Sequence, residues 1–134
     1  MAFISVTRLR LRSARYLPPF LWHTLRSLRQ ARRAPGNLSA QTRRAPDGAY
    51  WTLTAWDAEA AMRAYRNSGA HKRAMPKLVE WCDEASVGHW EQESAELPDW
   101  REAHRRMLET GRLSKVRHPS ERQRAGEMPA PENI

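Results

Sequence analysis

Pro46-Asp47-Gly48-Ala49-Tyr50-Trp51-Thr52-Leu53-Thr54-Ala55-Trp56 is the stretch that decides how this chain folds. Proline presets φ, aspartate bonds its own backbone, and glycine accepts a positive φ, so the first three residues read as a tight turn. The aromatic and β-branched run from Ala49 to Trp56 suits a pleated, half-buried surface and predicts a strand. A weaker strand candidate, Asn37 to Arg44, precedes the turn, so the pair is expected to form a hairpin. On the second strand Thr52 and Thr54 share one face, and Trp51 and Leu53 the other.

Toward the N-terminus, Phe3 to Arg12 reads as another strand. Thr7, Leu9 and Leu11 alternate there with Arg8, Arg10 and Arg12, a period of two. Pro18 and Pro19 open a helix, where a missing N–H costs little. Leu17, Leu21, Leu25 and Leu28 form one apolar stripe along it, with Arg26, Arg29, Arg32 and Arg33 largely away from the stripe. Pro35-Gly36 ends it.

Toward the C-terminus, Asp57 is a candidate N-cap for a helix with Ala61, Met62 and Tyr65 inward and Gly69 at its end. His71 to Cys82 reads as helix again, broken or restarted at Pro76. Ser86 to Glu91 is a short strand. Pro98 opens a last helix, 98–111, with Trp100, Ala103, Met107 and Leu108 on one side. Residues 112–134 are polar and aperiodic, which predicts a disordered or loosely docked tail behind a domain spanning 1–111. The order strand, helix, strand, strand, helix, strand is the ferredoxin-like split βαβ pattern of the α+β class. Helices are expected on one face of an antiparallel sheet. The open face predicts a homodimer, two sheets packing together as in a dimeric α/β barrel, with a cavity between sheet and helices.

The chain has 134 residues and a formal charge of +8, unevenly placed. Residues 1–46 hold ten arginines and no Asp or Glu, so the excess belongs to the N-terminal third. Such asymmetry fits an anionic partner, or a basic face that pairs with acids from the rest of the chain. Residues 23–46 contain no aromatic side chain to stack bases, so no specific nucleic-acid partner is expected, and weak anion or nucleic-acid binding through the Arg-rich third stands as an alternative. No apolar run is long enough for a membrane span. The single cysteine, Cys82, excludes an internal disulfide, suits the cytoplasm, and reads as a small buried hydrophobe. His23, His71, His89, His104 and His118 show no metal-ligand spacing, so no metal is expected, and no glycine-rich phosphate loop occurs.

Thr7-Arg8-Leu9-Arg10-Leu11-Arg12-Ser13, Trp51-Thr52-Leu53-Thr54-Ala55-Trp56 and Ser68-Gly69-Ala70-His71-Lys72-Arg73-Ala74-Met75-Pro76 together resemble an uncharacterised bacterial family. That family is distantly similar to spheroidene monooxygenase and to antibiotic-biosynthesis monooxygenase-like domains, and the resemblance covers roughly residues 2–111. It implies a dimeric α/β barrel, a fold that hosts oxygenases, haem proteins, isomerases and non-catalytic members alike. His71, in the best-matching segment, is the candidate catalytic residue: an acid/base near neutral pH, an axial haem ligand, or a helix cap. Arg8, Trp51, Thr52, Thr54 and Arg73 are the candidate substrate-binding residues. Trp51 and Trp56 also suit sheet packing. The Arg8, Arg10, Arg12 ladder suits either a bound carboxylate or phosphate, or charge protection of an exposed strand edge. The expected function is a monooxygenase-like domain that oxidises or binds an apolar small molecule in its cavity, with no cofactor or with haem. The alternative is a non-catalytic haem- or ligand-binding module.

Overall fold

Strand β1 (Ala2–Leu11) lies in the middle of the sheet, and its alternating sequence assigns each side chain to one of two layers. It pairs antiparallel with β3 (Tyr50–Trp56) on one side and β4 (Cys82–Gln92) on the other. β2 (Asn37–Arg44) extends the sheet beyond β3, and the short β5 (Arg112–Leu113) beyond β4, giving the order β2-β3-β1-β4-β5. Helix α1 (Leu17–Arg33) joins β1 to β2 after a 3-10 turn, and α2 (Glu59–Arg66) and α3 (Gly69–Trp81) join β3 to β4. α4 (Trp100–Thr110) and α5 (Glu121–Ala125) follow. The computed structural model describes residues 1–132. The fold is the expected ferredoxin-like α+β arrangement. Its hairpin turn closes as anticipated: the Ala45 N–H donates to the Ala49 carbonyl at 2.7 Å, with Gly48 at φ +86°.

The two sheet faces carry different chemistry. Ile4, Val6, Trp51 and Leu53 lie fully buried on one face, packed against Trp100, Ala103 and Met107 of α4. Each aliphatic chain buried there contributes about 1.5–3 kcal/mol. Phe3 and Trp56 lie on the other face with Ala31 of α1 and Met62 of α2. Helices therefore cover both faces, not one. The spacing of Trp100, Ala103 and Met107 gives α4 its own apolar stripe, and Asp99 caps it by accepting from the Glu102 N–H at 2.8 Å. The sheet face expected to be open is thus filled from within the chain.

The arginine ladder and the tail complete that second layer. Arg8 is 1 % exposed and lies 2.6 Å from Asp47 in the hairpin turn and 2.8 Å from Glu84 on β4. Arg10 pairs with Asp83 at 2.8 Å, and Arg12 with Glu80 at 2.9 Å. The ladder is neither a ligand site nor an edge guard, because β1 is a central strand. Burial raises the Asp47 carboxyl, but the Ala49 N–H together with the Arg8 and Arg122 charges outweighs it and holds the group below its ordinary range. Removing one member of such a buried pair leaves an uncompensated charge, at a cost of about 3–5 kcal/mol.

Residues 112–132 are docked, correcting the expected disordered or loosely docked tail. They lack an apolar period because backbone and amide hydrogen bonds hold them. The Ser114 N–H donates to the Ala85 carbonyl at 2.9 Å, that of Arg117 to Val79 at 2.9 Å, and that of Ser120 to Asp83 at 3.0 Å. The buried Gln123 side chain accepts from the Ala85 N–H and donates to its carbonyl, both at 3.1 Å, as a neighbouring strand would. Further on, Met128 packs against the α4 core and its carbonyl lies 2.7 Å from His104 Nε2. Asn133 and Ile134 lie outside the described residues.

Three smaller expectations also change. α3 runs unbroken through Pro76, whose missing N–H deprives only the carbonyl of exposed Lys72. Cys82 begins β4 instead of ending a helix, and it is fully buried as expected. Burial, reinforced by Asp83, pushes its thiol up to about 12. α1 buries Phe20, Leu28 and Ala31, leaving Leu21 and Leu25 of the expected stripe exposed.

Gln123→Ala strips the buried Ala85 N–H of its partner and leaves the Ala85 carbonyl only the Ser114 N–H, and is expected to cost about 1–3 kcal/mol. Thermal unfolding measures it. A fall in melting temperature of about 5 °C or more is the expected outcome for a domain of this size. Unchanged melting would mean that the tail rests on the sheet without holding it.

Candidate active site

The odd-numbered side chains of β1 become the floor of a cavity. Ser5, Thr7 and Leu9 point to the same face as Thr52 and Thr54, because the register sets Ser5 opposite Thr54 and Thr7 opposite Thr52. β4 adds Ala85, Val87 and His89, with His89 opposite Ser5. α2 and α3 form the roof through Met62, Tyr65, His71, Met75 and Leu78, and residues 112–116 close one side. The enclosed volume is about 360 Å³, within the range of small-molecule sites. The walls are mostly apolar, with hydroxyls along the floor.

His71 is held from two directions. Its backbone N–H donates to Gln30 Oε1 at 2.8 Å, while the Gln30 amide donates to the Ser68 carbonyl at 2.8 Å and the Tyr65 carbonyl at 3.2 Å. One α1 side chain therefore fixes the α2–α3 junction. Gly69 allows this: its φ is +58°, and a Cβ there would press on the Gln30 amide. The His71 ring lies 4.8 Å from the Tyr65 ring, and Nδ1 lies 3.2 Å from the Arg66 carbonyl. A carbonyl only accepts, so Nδ1 carries the proton and Nε2 keeps its lone pair. Burial holds His71 below the ordinary value of 6.5, and the Arg66 charge acts the same way against the opposing carbonyl bond. The ring is thus neutral at neutral pH and poised as a base through Nε2.

His89 is a second imidazole in the same space, tilted against Phe3 with ring centroids 5.4 Å apart. Burial, then the charges of Arg112 and Arg66, lower its pKa, and Glu59 only partly opposes them. Tyr65 donates to the Ser27 carbonyl at 3.2 Å, and burial raises its phenol far above the ordinary range, so it stays protonated. The cationic groups at the cavity are Arg66, Arg112 and Lys115, and no carboxylate lines it among the described residues.

Of the residues singled out by sequence, the fold brings His71, Thr52 and Thr54 together. Trp51 lies on the opposite sheet face beneath α4, fully buried, with its ring 6.0 Å from that of His104. Arg8 shares that face and is consumed by Asp47 and Glu84. Arg73 is exposed on α3 and does not line the cavity. The placements of Trp51 and Arg8 follow directly from strand alternation, since both sit opposite in phase to Thr52 and Thr7. His89, Tyr65, Arg66 and Arg112 were missed. For His89 a signal existed: it shares the phase of Val87 in the last strand, and so follows the cavity face once the register is known. Among the described residues no cluster of His, Cys, Asp or Glu could hold a metal ion.

An α+β sheet layered with helices over an apolar, histidine-bearing cavity defines the class: a ferredoxin-like α+β domain. Residues 21–77, from α1 through most of α3, match the family model for antibiotic biosynthesis monooxygenase. The sequence resemblance to these domains is thereby supported. Solved structures of the same fold include SnoaB, a cofactor-independent oxygenase from Streptomyces nogalater, at 18 % identity and TM-score 0.59 over 73 % of this chain and 98 % of that one. Rv0793 from Mycobacterium tuberculosis is similar at 12 % identity and TM-score 0.64, over 70 % and 97 %. A conserved protein from Methanosarcina mazei Go1 is similar at 14 % identity and TM-score 0.62, over 69 % and 94 %. No curated protein matches the sequence.

The sign of the histidine shifts makes a prediction. Both His71 and His89 have folded-state pKa values below the unfolded value, so their contribution to stability is complete above about pH 6.5 and is lost as pH falls through the folded values. Imidazole proton NMR should give both rings midpoints below 6.5, and the melting temperature should fall from about pH 7 to about pH 5. A His71 midpoint above 6.5 would contradict the neutral base.

Proposed function

We propose that this domain binds an apolar small molecule bearing an acidic C–H or O–H in the cavity and oxidises it with molecular oxygen, without a bound cofactor. The observation that carries this reading is the neutral His71, with Nδ1 tied to the Arg66 carbonyl and Nε2 left as an acceptor beside apolar walls. His71 Nε2 takes the substrate proton. The resulting anion supplies the electrons that reduce O2, one oxygen atom staying in the product as a carbonyl and the other leaving as water. Thr52 and Thr54 orient the polar end of the substrate, and Arg66 and Arg112 favour its anionic form. The SnoaB description as a cofactor-independent oxygenase supports the reading by likeness of fold alone.

A haem-binding reading shares the same observation, because a ring whose Nδ1–H bonds a carbonyl is oriented to ligate iron through Nε2. A homodimer and a cytoplasmic location belong to the proposal too. The dimer would have to use a surface other than the sheet face that α4 covers. The location is supported by a lone, buried Cys82. No helix among the described residues is long and apolar enough to cross a membrane.

His71→Gln keeps a polar ring-sized group but loses the base. With a panel of polycyclic phenols and an oxygen electrode, it is expected to lower turnover by about 10²–10⁴-fold while leaving the melting temperature near that of the parent. Unchanged turnover with lowered stability would make His71 structural. A Soret band shift on adding haem, abolished by the same substitution, would favour the haem reading instead.

A further inference from the structure

Helix α1 turns an unusual surface outward. Phe20, Leu28 and Ala31 face the sheet, so the intervening positions cannot. Leu21 is 40 % exposed, Trp22 59 % and Leu25 66 %, a contiguous apolar patch one turn long. Leu38, on the neighbouring edge strand β2, is 46 % exposed. Arg26, Arg29, Arg32 and Arg33 are exposed on the same helix, and the Arg26 guanidinium sits 5.6 Å from the Trp22 ring centroid. The other arginines of the N-terminal third are largely satisfied within the fold: Arg8, Arg10 and Arg12 by acids, Arg43 by Glu132, and Arg44 over Tyr50. Among the described residues no ion pair involves the four arginines of α1.

We propose that the outer face of α1 is a docking surface for an anionic lipid bilayer, lying flat with Leu21, Trp22 and Leu25 in the headgroup layer and Arg26, Arg29, Arg32 and Arg33 on lipid phosphates and carboxylates. Charge complementarity selects this occupant. A helix with four cations, no acid and an exposed Trp between leucines matches an interface that is apolar below and anionic at its rim. A second copy fits poorly, since a two-fold contact through α1 would bring the same four arginines against themselves. Nucleic acid would engage the arginines but leave Leu21 and Leu25 unused. The apolar substrate class proposed for the cavity is independent of this surface, so either reading can fail alone.

The test is co-sedimentation of the full chain with vesicles of phosphatidylcholine alone and of phosphatidylcholine containing about one third phosphatidylserine, at low and physiological salt. Binding to the anionic vesicles only, weakened by salt, is expected. Arg29→Gln/Arg33→Gln should reduce it about 25-fold, from about fivefold per arginine near such a surface. Trp22→Ser/Leu25→Ser should reduce it by about tenfold or more, with far-UV circular dichroism and melting unchanged. Equal binding to both vesicles, no binding to either, or full binding by the Trp22/Leu25 variant would overturn the proposal. So would tighter binding to a DNA or RNA duplex than to anionic vesicles, or light scattering showing that Trp22→Ser/Leu25→Ser splits a dimer.

Discussion

Every layer of this protein depends on the double pairing of β1. A central strand has no free edge, so its side chains can only point up or down, and the alternation of Ser5, Thr7 and Leu9 with Ile4, Val6 and Arg8 sorts two chemistries onto two faces. The hydroxyl-bearing set becomes the cavity floor. The aliphatic set, with Trp51 and Leu53, becomes a dry core that α4 seals. A slip of one residue would exchange the two sets and destroy both core and cavity.

Charge follows the same division. Arg8 on the sealed face is buried only because Asp47 and Glu84 converge on it from the hairpin turn and from β4, and Arg122 of the tail approaches Asp47 at 3.3 Å. The ion-pair cluster therefore joins the turn, two strands and the C-terminal segment. No carboxylate lines the cavity among the described residues, and two imidazoles are kept neutral by burial and nearby cations. Arg26, Arg29, Arg32 and Arg33, in no ion pair among the described residues, lie on the outside of α1.

Much of this was legible in the sequence, because it is local. The turn at Pro46-Asp47-Gly48, the bounds of β2 and β3, and the opposite phases of Thr52 and Trp51 follow from residue type and a period of two. What was not legible depends on distant partners. That Arg8 would be neutralised required knowing that Glu84 sits across the strand pair. The buried side of α1 could not be chosen from the Leu17, Leu21, Leu25, Leu28 stripe, since Phe20 and Ala31 offered a rival face and only the sheet decides between them. The tail escaped notice because it docks through Gln123 and backbone amides, which leave no apolar period. His89 was hidden for the same kind of reason: nothing near it in sequence announces that Ser5 and Thr54 lie beside it.

The central claim is that the cavity-facing set of side chains, and not the opposite face, meets the ligand. Chemical-shift mapping with a polycyclic phenol such as naphthol reads this directly. The account predicts concerted shifts of the His71 and His89 ring protons and of the Thr7, Thr52 and Thr54 methyls, with the Trp51 indole and Arg8 guanidinium signals unmoved. Shifts centred on Trp51 and Arg8, or a silent cavity with shifts only at Leu21, Trp22 and Leu25, would contradict it.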